Sequence, residues 1–200
     1  MIGVVDYGIG NVASVVNMFR KNGVDCLLVN TPKEIQETDK LILPGVGAFD
    51  SAMSKLMELN FVSSIKDFAA SGKPLLGICL GAQLLMRSSE EGMLSGLGVI
   101  EGTCRHFGNI QPLRVPHMNW SEVTFTIQHP LFTFPESDPR FYFTHSYYLD
   151  CTYEADIAGT TSYSKKFTCA TRHNNVFGVQ FHPEKSHRFG ARLFMNFAAL

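Results

Sequence analysis

Residues 74–87 read PLLGICLGAQLLMR, and this stretch decides the fold class of the 200-residue chain. The apolar run 74–78 predicts a buried strand, and the pattern from Leu80 to about Arg87 predicts a helix. Between them lies GICLG (77–81), in which a glycine on each side leaves room beside Cys79. A buried strand that turns sharply into a helix is typical of α/β proteins.

The segments before this turn extend the same pattern. Apolar runs at 2–6, 26–29 and 41–43 predict further buried strands. Two amphipathic helices are predicted: one capped by Asn11 and ended by Gly23, with Val12, Val15, Val16 and Phe19 on one face; the other ended by Gly72, with Phe61, Ile65, Phe68 and Ala69. Apolar strands separated by helices predict a three-layer α/β fold, with a mostly parallel central sheet covered by helices on both faces.

The second half of the chain changes character. It is rich in β-branched and aromatic residues, and turn residues recur about every ten positions. Strands are predicted at 122–127, 141–149, 167–171 and 176–181, and they form an antiparallel β elaboration. A last helix carries Phe189, Leu193, Phe194 and Phe197 on one face. No linker or repeat separates the halves, so residues 1–200 are predicted to form a single domain.

Composition excludes several classes of protein. The formal net charge of −1 provides no basic field for nucleic acid, and no apolar run approaches the ~18 residues of a membrane span, so neither partner is expected. The N-terminus lacks the features of a signal peptide, and the five cysteines are scattered and odd in number. We therefore expect reduced thiols in a cytoplasmic protein. No motif has metal-ligand spacing, so neither a metal nor a cofactor is expected.

The GICLG turn has the form of a nucleophile elbow, G-x-nucleophile-x-G, with Cys79 at the nucleophile position. The start of the helix behind it favours negative charge on the sulfur. The backbone N–H of Leu80 then stands where an oxyanion donor is needed. The alternative is a buried structural cysteine in a strand–helix turn.

A thiolate nucleophile needs a base and a group that orients it, and the chain offers both after the strand 176–181. His182 and Glu184 are two residues apart, so in extended chain their side chains point the same way. The carboxylate would fix the imidazole tautomer and stabilise imidazolium. A second oxyanion donor is expected from the glycine-rich loop Leu43–Gly47, at Val46 and Gly47. Taken alone, each of these segments also fits an ordinary strand exit or βα turn.

Together these segments resemble the class I, triad-type glutamine amidotransferases. GICLGAQLL (77–85) and GVQFHPEKS (178–186) match the two signatures of that family. Within it, VVDYGIGNVASV (4–15), LPGVGAF (43–49) and FTHSYY (143–148) are similar to the glutaminase subunits of imidazole glycerol phosphate synthases. The resemblance covers essentially the whole chain.

The resemblance implies a role for each matching residue. Cys79 would attack the side-chain amide of L-glutamine, His182 would act as general acid and base, and Glu184 would orient it. Leu80 and the Val46–Gly47 segment would supply the oxyanion donors. The α-amino and α-carboxyl end of glutamine would be held by Gln83, Glu91 and the backbone of Ser146 and Tyr147.

The resemblance also implies a partner. Ammonia would pass to a (β/α)8-barrel cyclase subunit that makes imidazole glycerol phosphate and an aminoimidazole carboxamide ribonucleotide in histidine biosynthesis. Trp120 and Lys185 would lie at that interface. The family usually reads HMGWN where this chain has HMNWS (117–121). Asn119 and Ser121 therefore leave open a paralogous role, as ammonia donor to a related barrel in another pathway such as modified-sugar synthesis.

The sequence also allows other functions to be considered. GIGNVA (8–13) nearly matches a dinucleotide fingerprint, but Asn30 and Thr31 stand where an acidic residue is needed, so we reject a nucleotide cofactor. The chain could be the glutaminase of another amidotransferase, although DYGIGN and THSYY argue against it. A cysteine hydrolase with the same elbow and a non-catalytic binding module are the remaining alternatives. Gln83 speaks against the first and the intact Cys79, His182 and Glu184 against the second.

Overall fold

A computed structural model describes residues 1–109 and 112–200 of the chain. Its helices are α1 (Val12–Lys21), α2 (Pro32–Glu37), α3 (Phe49–Glu58), α4 (Phe61–Ala70), α5 (Leu80–Leu85) and α6 (His187–Ala199). Its strands are β1 (Ile2–Val5), β2 (Cys26–Val29), β3 (Lys40–Gly45), β4 (Leu75–Cys79), β5 (Met86–Ser89), β6 (Ile100–His106), β7 (His117–Glu122), β8 (Thr124–Phe125), β9 (Arg140–His145), β10 (Tyr147–Cys151), β11 (Ile157–Tyr163), β12 (Lys165–His173) and β13 (Val176–Val179). Short 3₁₀ helices cover Pro130–Phe132, Glu154–Asp156 and Pro183–Lys185.

The large sheet has the strand order β2-β1-β3-β4-β13-β12-β10-β6-β5. Strands β2, β1, β3, β4 and β13 are parallel to one another. From β12 onward the neighbours are antiparallel, except for the parallel pair β5 and β6 at the far edge. Strand β11 pairs with β12 and β8, and β7 and β9 form a separate antiparallel pair. The predicted α/β sheet with an antiparallel C-terminal elaboration is confirmed.

Helices cover both faces of the parallel part of the sheet, as predicted. Helices α1 and α6 pack together on one face, where the rings of Phe19 and Phe194 lie 4.9 Å apart. Helices α2 to α5 bury their apolar residues on the other face, around Phe49, Phe61 and Phe68. Among the described residues, no helix is both long and apolar enough to cross a membrane.

The predicted boundaries of helices α1 and α4 are confirmed. The Asn11 side chain accepts a hydrogen bond from the Ser14 N–H at 3.3 Å and caps the start of α1. Gly23 and Gly72 follow the ends of α1 and α4 with φ of 72° and 81°. This left-handed conformation costs glycine little, and it ends a helix because the next N–H turns back toward the last carbonyls.

Three predicted boundaries are wrong because strand pairing overrides local pattern. The helix predicted from Leu80 to Arg87 ends at Leu85, because residues 86–89 pair with β6. The strand predicted at 141–149 breaks at Ser146, where the chain leaves its partner β7 and joins β6 and β12. The strand predicted at 122–127 is divided at the buried Val123. Glu122 is the last residue of β7, and Thr124 and Phe125 form the short strand β8.

Strand β2 was also predicted to be buried, and it is not. It lies at the edge of the sheet, with Leu27 and Leu28 half exposed. An edge strand has no neighbour on one side, so its apolar side chains are less covered than the same sequence would be in a central strand.

Candidate active site

The carboxyl ends of β3, β4 and β13 lie side by side, and a cavity of about 520 Å³ opens above them. Gly45 at the end of β3 is directly opposite Cys79 at the end of β4. In open α/β sheets this is the edge at which ligands bind. The predicted site residues that line the cavity are Val46, Gly47, Cys79, Leu80, Gln83, Glu91, Ser146, Tyr147, His182 and Lys185.

Cys79 sits in a backbone conformation that non-glycine residues rarely adopt, with φ of 53° and ψ of −111°. Such a conformation costs about 1–3 kcal/mol and persists only where the surroundings impose it. The two flanking glycines are required by contact. A Cβ on Gly77 would lie 2.8 Å from the Ala82 backbone, and one on Gly81 would lie 1.8 Å from the Leu43 carbonyl oxygen. Close packing of α5 against β3 and β4 therefore holds the cysteine at the turn.

His182 follows β13 and reaches the same cavity. Its Nδ1 donates a hydrogen bond to the Glu184 carboxylate at 2.8 Å, and both side chains are almost fully buried. Burial lowers the pKa of His182, but interactions with Cys79 and Glu184 outweigh burial and raise that pKa to about 10. The buried Nε2 has no hydrogen-bond partner among the described residues.

Three hydrogen bonds, two of them directly to His182, link the His182 backbone to Tyr142 and Ser186. Its N–H donates to the Tyr142 carbonyl at 2.9 Å. The Ser186 hydroxyl donates to the His182 carbonyl at 2.6 Å and accepts from the Tyr142 N–H at 3.0 Å. Ser186 is fully buried and was not predicted as a site residue. Its place in the same short motif, four residues after the histidine, is the signal that sequence reasoning passed over.

The loop after β3 carries the predicted oxyanion donors. Gly47 has φ of 104°, which favours glycine, and Val46 is 41% exposed at the cavity wall. The buried Tyr7 hydroxyl donates to the Pro44 carbonyl at 2.9 Å and anchors the start of the loop. Burial and the nearby Cys79 raise the pKa of Tyr7, so its hydroxyl stays protonated and remains a donor.

Glu91 anchors the other end of that loop. Its Oε2 accepts a hydrogen bond from the Phe49 N–H, the first residue of α3, at 3.1 Å. Desolvation by burial is the main reason that the pKa of Glu91 is raised. A carboxylate that lines the cavity and contacts the loop end can bind a cationic group of a substrate and at the same time hold the loop.

The side-chain amides of Gln83 and Gln180 are hydrogen-bonded to each other, and only Gln83 was predicted as a site residue. The Gln83 Nε2 donates to the Tyr147 carbonyl at 3.2 Å and to the Gln180 Oε1 at 3.1 Å. The Nε2 of Gln180 then donates to the Cys79 sulfur at 3.8 Å. Gln180 is fully buried and was not among the predicted site residues. A buried amide next to a nucleophile is visible only once the fold brings residues 80–83 and 180 together.

Of the two predicted interface residues, only Lys185 lies at the cavity. Lys185 lines the cavity, and its Nζ is 5.9 Å from the centre of the Tyr142 ring. Trp120 lies outside the cavity on β7, half-buried and parallel to the His187 ring at 5.4 Å. Met118 on the same strand is 61% exposed.

Residues 3–199 match the family model described as glutamine amidotransferase class-I. The structure of PurLQS from Thermotoga maritima superposes with a TM-score of 0.79 at 16% identity, covering 99% of this chain and 97% of that chain, which shows the shared fold.

Two relatives share much more of the sequence. Imidazole glycerol phosphate synthase subunit HisH 2 of Methanococcus maripaludis is 48% identical and aligns over 98% of each chain. Subunit HisH of Sulfurimonas denitrificans is 49% identical over 98% of this chain and 97% of its own. The chain therefore belongs to the class I glutamine amidotransferases and, within them, to the family of HisH subunits. The family resemblance and the glutamine amidotransferase class predicted from the sequence are confirmed.

Proposed function

We propose that residues 1–200 form a single glutaminase domain in the cytoplasm that hydrolyses L-glutamine to glutamate and ammonia. The ammonia passes to a (β/α)8-barrel cyclase subunit, which makes imidazole glycerol phosphate and an aminoimidazole carboxamide ribonucleotide in histidine biosynthesis. The observation that carries this proposal is that Cys79, on a sterically enforced elbow, and His182 line one cavity, and that Glu184 is hydrogen-bonded to His182. All five cysteines are free thiols, which fits a reducing compartment.

The chemistry follows from the proton positions. The Cys79 sulfur attacks the side-chain amide carbon of glutamine while His182, whose raised pKa keeps it protonated near neutral pH, holds the proton that the leaving nitrogen needs. Transfer of that proton releases ammonia and leaves a glutamyl thioester. His182 then takes a proton from water, which attacks the thioester and releases glutamate. Glu184 stabilises the imidazolium that is present before the first transfer and that forms again in the second.

The negative oxygen of each tetrahedral intermediate needs fixed donors. The Leu80 N–H at the start of α5 and an N–H of the Val46–Gly47 segment are the candidates, since both segments line the cavity beside Cys79. Loss of one such donor costs about 10²–10³ in kcat in other enzymes of this kind.

The other end of glutamine fits the remaining polar groups. Both amide hydrogens of Gln83 are already used, so its Oε1 is left to accept a hydrogen bond from the substrate's α-ammonium. The Glu91 carboxylate adds negative charge for the same group. Ser146 and Tyr147 line the cavity, and their backbone would hold the α-carboxylate. Together these groups select an amino acid rather than a simple amide.

The face that carries Met118, Trp120 and Lys185 is the proposed contact with the barrel subunit. It combines an exposed methionine, a half-buried tryptophan and a lysine at the cavity mouth. Aromatic residues and methionine are enriched in protein interfaces. A barrel that covers this mouth would receive ammonia without its escape to water.

The test measures glutamate release from L-glutamine by the full chain, with and without a candidate histidine-pathway barrel subunit. We expect release to require Cys79, so Cys79→Ala is inactive, whereas Cys26→Ala on the edge strand β2 keeps the parental rate. Glutamate release that survives in Cys79→Ala contradicts the mechanism. Stimulation by a different barrel subunit, and none by the histidine-pathway one, would replace the pathway with the paralogous role that Asn119 and Ser121 left open.

A further inference from the structure

Two buried histidines outside the proposed triad contact each other, and one of them, His145, lines the substrate cavity. His117 on β7 and His145 on β9 are directly opposite in the two-stranded ladder. His117 is fully buried and His145 is 6% exposed. The His117 ring is stacked between Phe143, at 5.0 Å, and Tyr163, at 4.1 Å, so its orientation is fixed. A pair of buried imidazoles is expensive to desolvate, and the mechanism above uses neither.

The hydrogen bonds of this pair have one consistent direction. His145 Nδ1 is 2.6 Å from the Tyr147 carbonyl, which only accepts, so Nδ1 carries the proton. In the neutral ring Nε2 is then an acceptor, and it lies 3.1 Å from His117 Nδ1, which must donate. His117 Nε2 is in turn an acceptor, and it accepts a hydrogen bond from the Ser121 hydroxyl, with 3.1 Å between Nε2 and Oγ. Burial lowers the pKa of both rings, to about 4 in His117 and about 3 in His145, so both are neutral near pH 7.

The chain of bonds continues to the nucleophile. The Tyr147 carbonyl also accepts from Gln83, which fixes the Gln83 amide with its nitrogen toward that carbonyl. The second Gln83 hydrogen meets the Gln180 Oε1, so the Gln180 nitrogen must face the Cys79 sulfur. The orientation of each amide follows from the one before it. One unbroken series therefore joins Ser121 on β7 to Cys79.

We propose that His117 and His145 are positioning residues for glutamine binding. They hold the Tyr147 carbonyl, and through it the Gln83 amide, so that Gln83 Oε1 is presented to the α-ammonium of the substrate. This inference rests on the proposed function, because it assumes that glutamine occupies the cavity beside Cys79. The affected contact lies at the α-ammonium end of glutamine, away from the reacting side-chain amide. Loss of the series should therefore raise KM more than it lowers kcat.

A matched pair of amide substitutions at His145 tests the proposal. The side-chain nitrogen of asparagine falls near imidazole Nδ1 and can donate as Nδ1 does, and the side-chain oxygen of glutamine can lie near Nε2 and accept as Nε2 does. His145→Asn can keep the bond to Tyr147 and lose the one to His117, whereas His145→Gln does the reverse. With one hydrogen bond worth about 1 kcal/mol net, we expect His145→Gln to raise KM for glutamine about five-fold, and His145→Asn to raise it less.

The readouts separate positioning from general destabilisation. KM and kcat for glutaminase activity are measured with the stimulating barrel subunit, and glutamine protection of Cys79 from iodoacetamide is read by peptide mass spectrometry. Thermal unfolding of both variants gives the structural cost. Equal KM shifts in the two variants, or a KM loss that follows only the change in stability, would overturn the proposal. The same comparison at His117, where Asn keeps the bond to His145 and Gln keeps the bond to Ser121, serves if the His145 variants do not fold.

The two proposals can fail separately. Activity in Cys79→Ala removes the glutaminase mechanism and this inference with it. If Cys79→Ala is inactive and His145→Asn and His145→Gln behave alike, the glutaminase proposal stands and the positioning role is wrong.

Discussion

The elbow makes a sharp steric prediction at Gly81. Replacing Gly81 with alanine would place a methyl carbon 1.8 Å from the Leu43 carbonyl oxygen of β3. That oxygen belongs to backbone in the centre of the sheet and cannot rotate away as a side chain can. Helix α5 must therefore move away from β3, and Cys79, the residue just before α5, must move with it.

The size of the effect follows from the overlap. Relief of the contact needs a shift of about 1 Å, and a misplacement of that size at a reacting group costs about 10²-fold in rate. Overpacking of a core contact costs about 1–3 kcal/mol of unfolding free energy. We therefore expect Gly81→Ala to lower kcat/KM for glutamine about 100-fold or more and to remain folded at a reduced Tm.

Gly72 is the matched control for this substitution. It follows α4 with φ of 81°, and a Cβ there would meet no atom within 4 Å. Alanine in this left-handed conformation costs about 1–2 kcal/mol, without any contact with the site. Gly72→Ala should thus lose stability and keep kcat/KM. Glutamate release and thermal unfolding are measured for both variants. Parental kcat/KM in Gly81→Ala, or an equal loss in Gly72→Ala, would refute the argument that close packing holds the nucleophile.

Three further predictions follow from the contacts of the site. Glu184→Gln removes the carboxylate that orients His182, and kcat should fall about 10²-fold or more in steady-state assays; an unchanged kcat contradicts the role. Tyr7→Phe leaves the Pro44 carbonyl without its donor and should lower the unfolding free energy by about 1–3 kcal/mol in urea, with no loss as the opposing result. His182 is raised from its usual pKa of 6.5 to about 10, so its contribution to stability is full below pH 6.5 and is lost as pH rises toward 10. Urea titrations should show a smaller loss over that range in His182→Asn, and parallel curves would contradict the pKa shift.

Local signals located much of the first half of the fold. The apolar face of α1, its Asn11 cap and its terminal Gly23 are short-range features, and the structure reproduces them. Helices α2 and α3 were not predicted although their signals are present. Thr31 and Glu34 form a capping box, and Phe49, Ala52, Met53 and Leu56 recur on one face of α3. Both helices were therefore predictable from the local sequence.

The second half could not be placed in the same way. Residues 86–89 contain no glycine or proline that would end the preceding helix, and their pairing with β6 makes them a strand. Ser146 divides one apparently continuous strand because its two halves have different partners. Pairing over long sequence separations is decided by tertiary contacts, which the local pattern does not contain.

The candidate site shows the same division. Cys79 and the His182–Glu184 pair were predictable because glycine spacing and a two-residue separation carry their chemistry locally. The roles of Gln180 and His145 were not, because each depends on a partner more than twenty residues away or on burial. A buried glutamine within the motif GVQFHPEKS looks like any strand residue until the Gln83 amide is found beside it.

The order of the strands explains why residues so far apart in sequence meet. Strands β3, β4 and β13 are neighbours in the sheet, and all three run in the same direction. Their carboxyl ends therefore bring the loop of Val46 and Gly47, the proposed nucleophile Cys79 and the proposed base His182 to one edge. No local sequence pattern indicates that β13, from the C-terminal half, pairs with β4. The site depends on that pairing, because without β13 next to β4 the elbow would carry a cysteine with no base within reach.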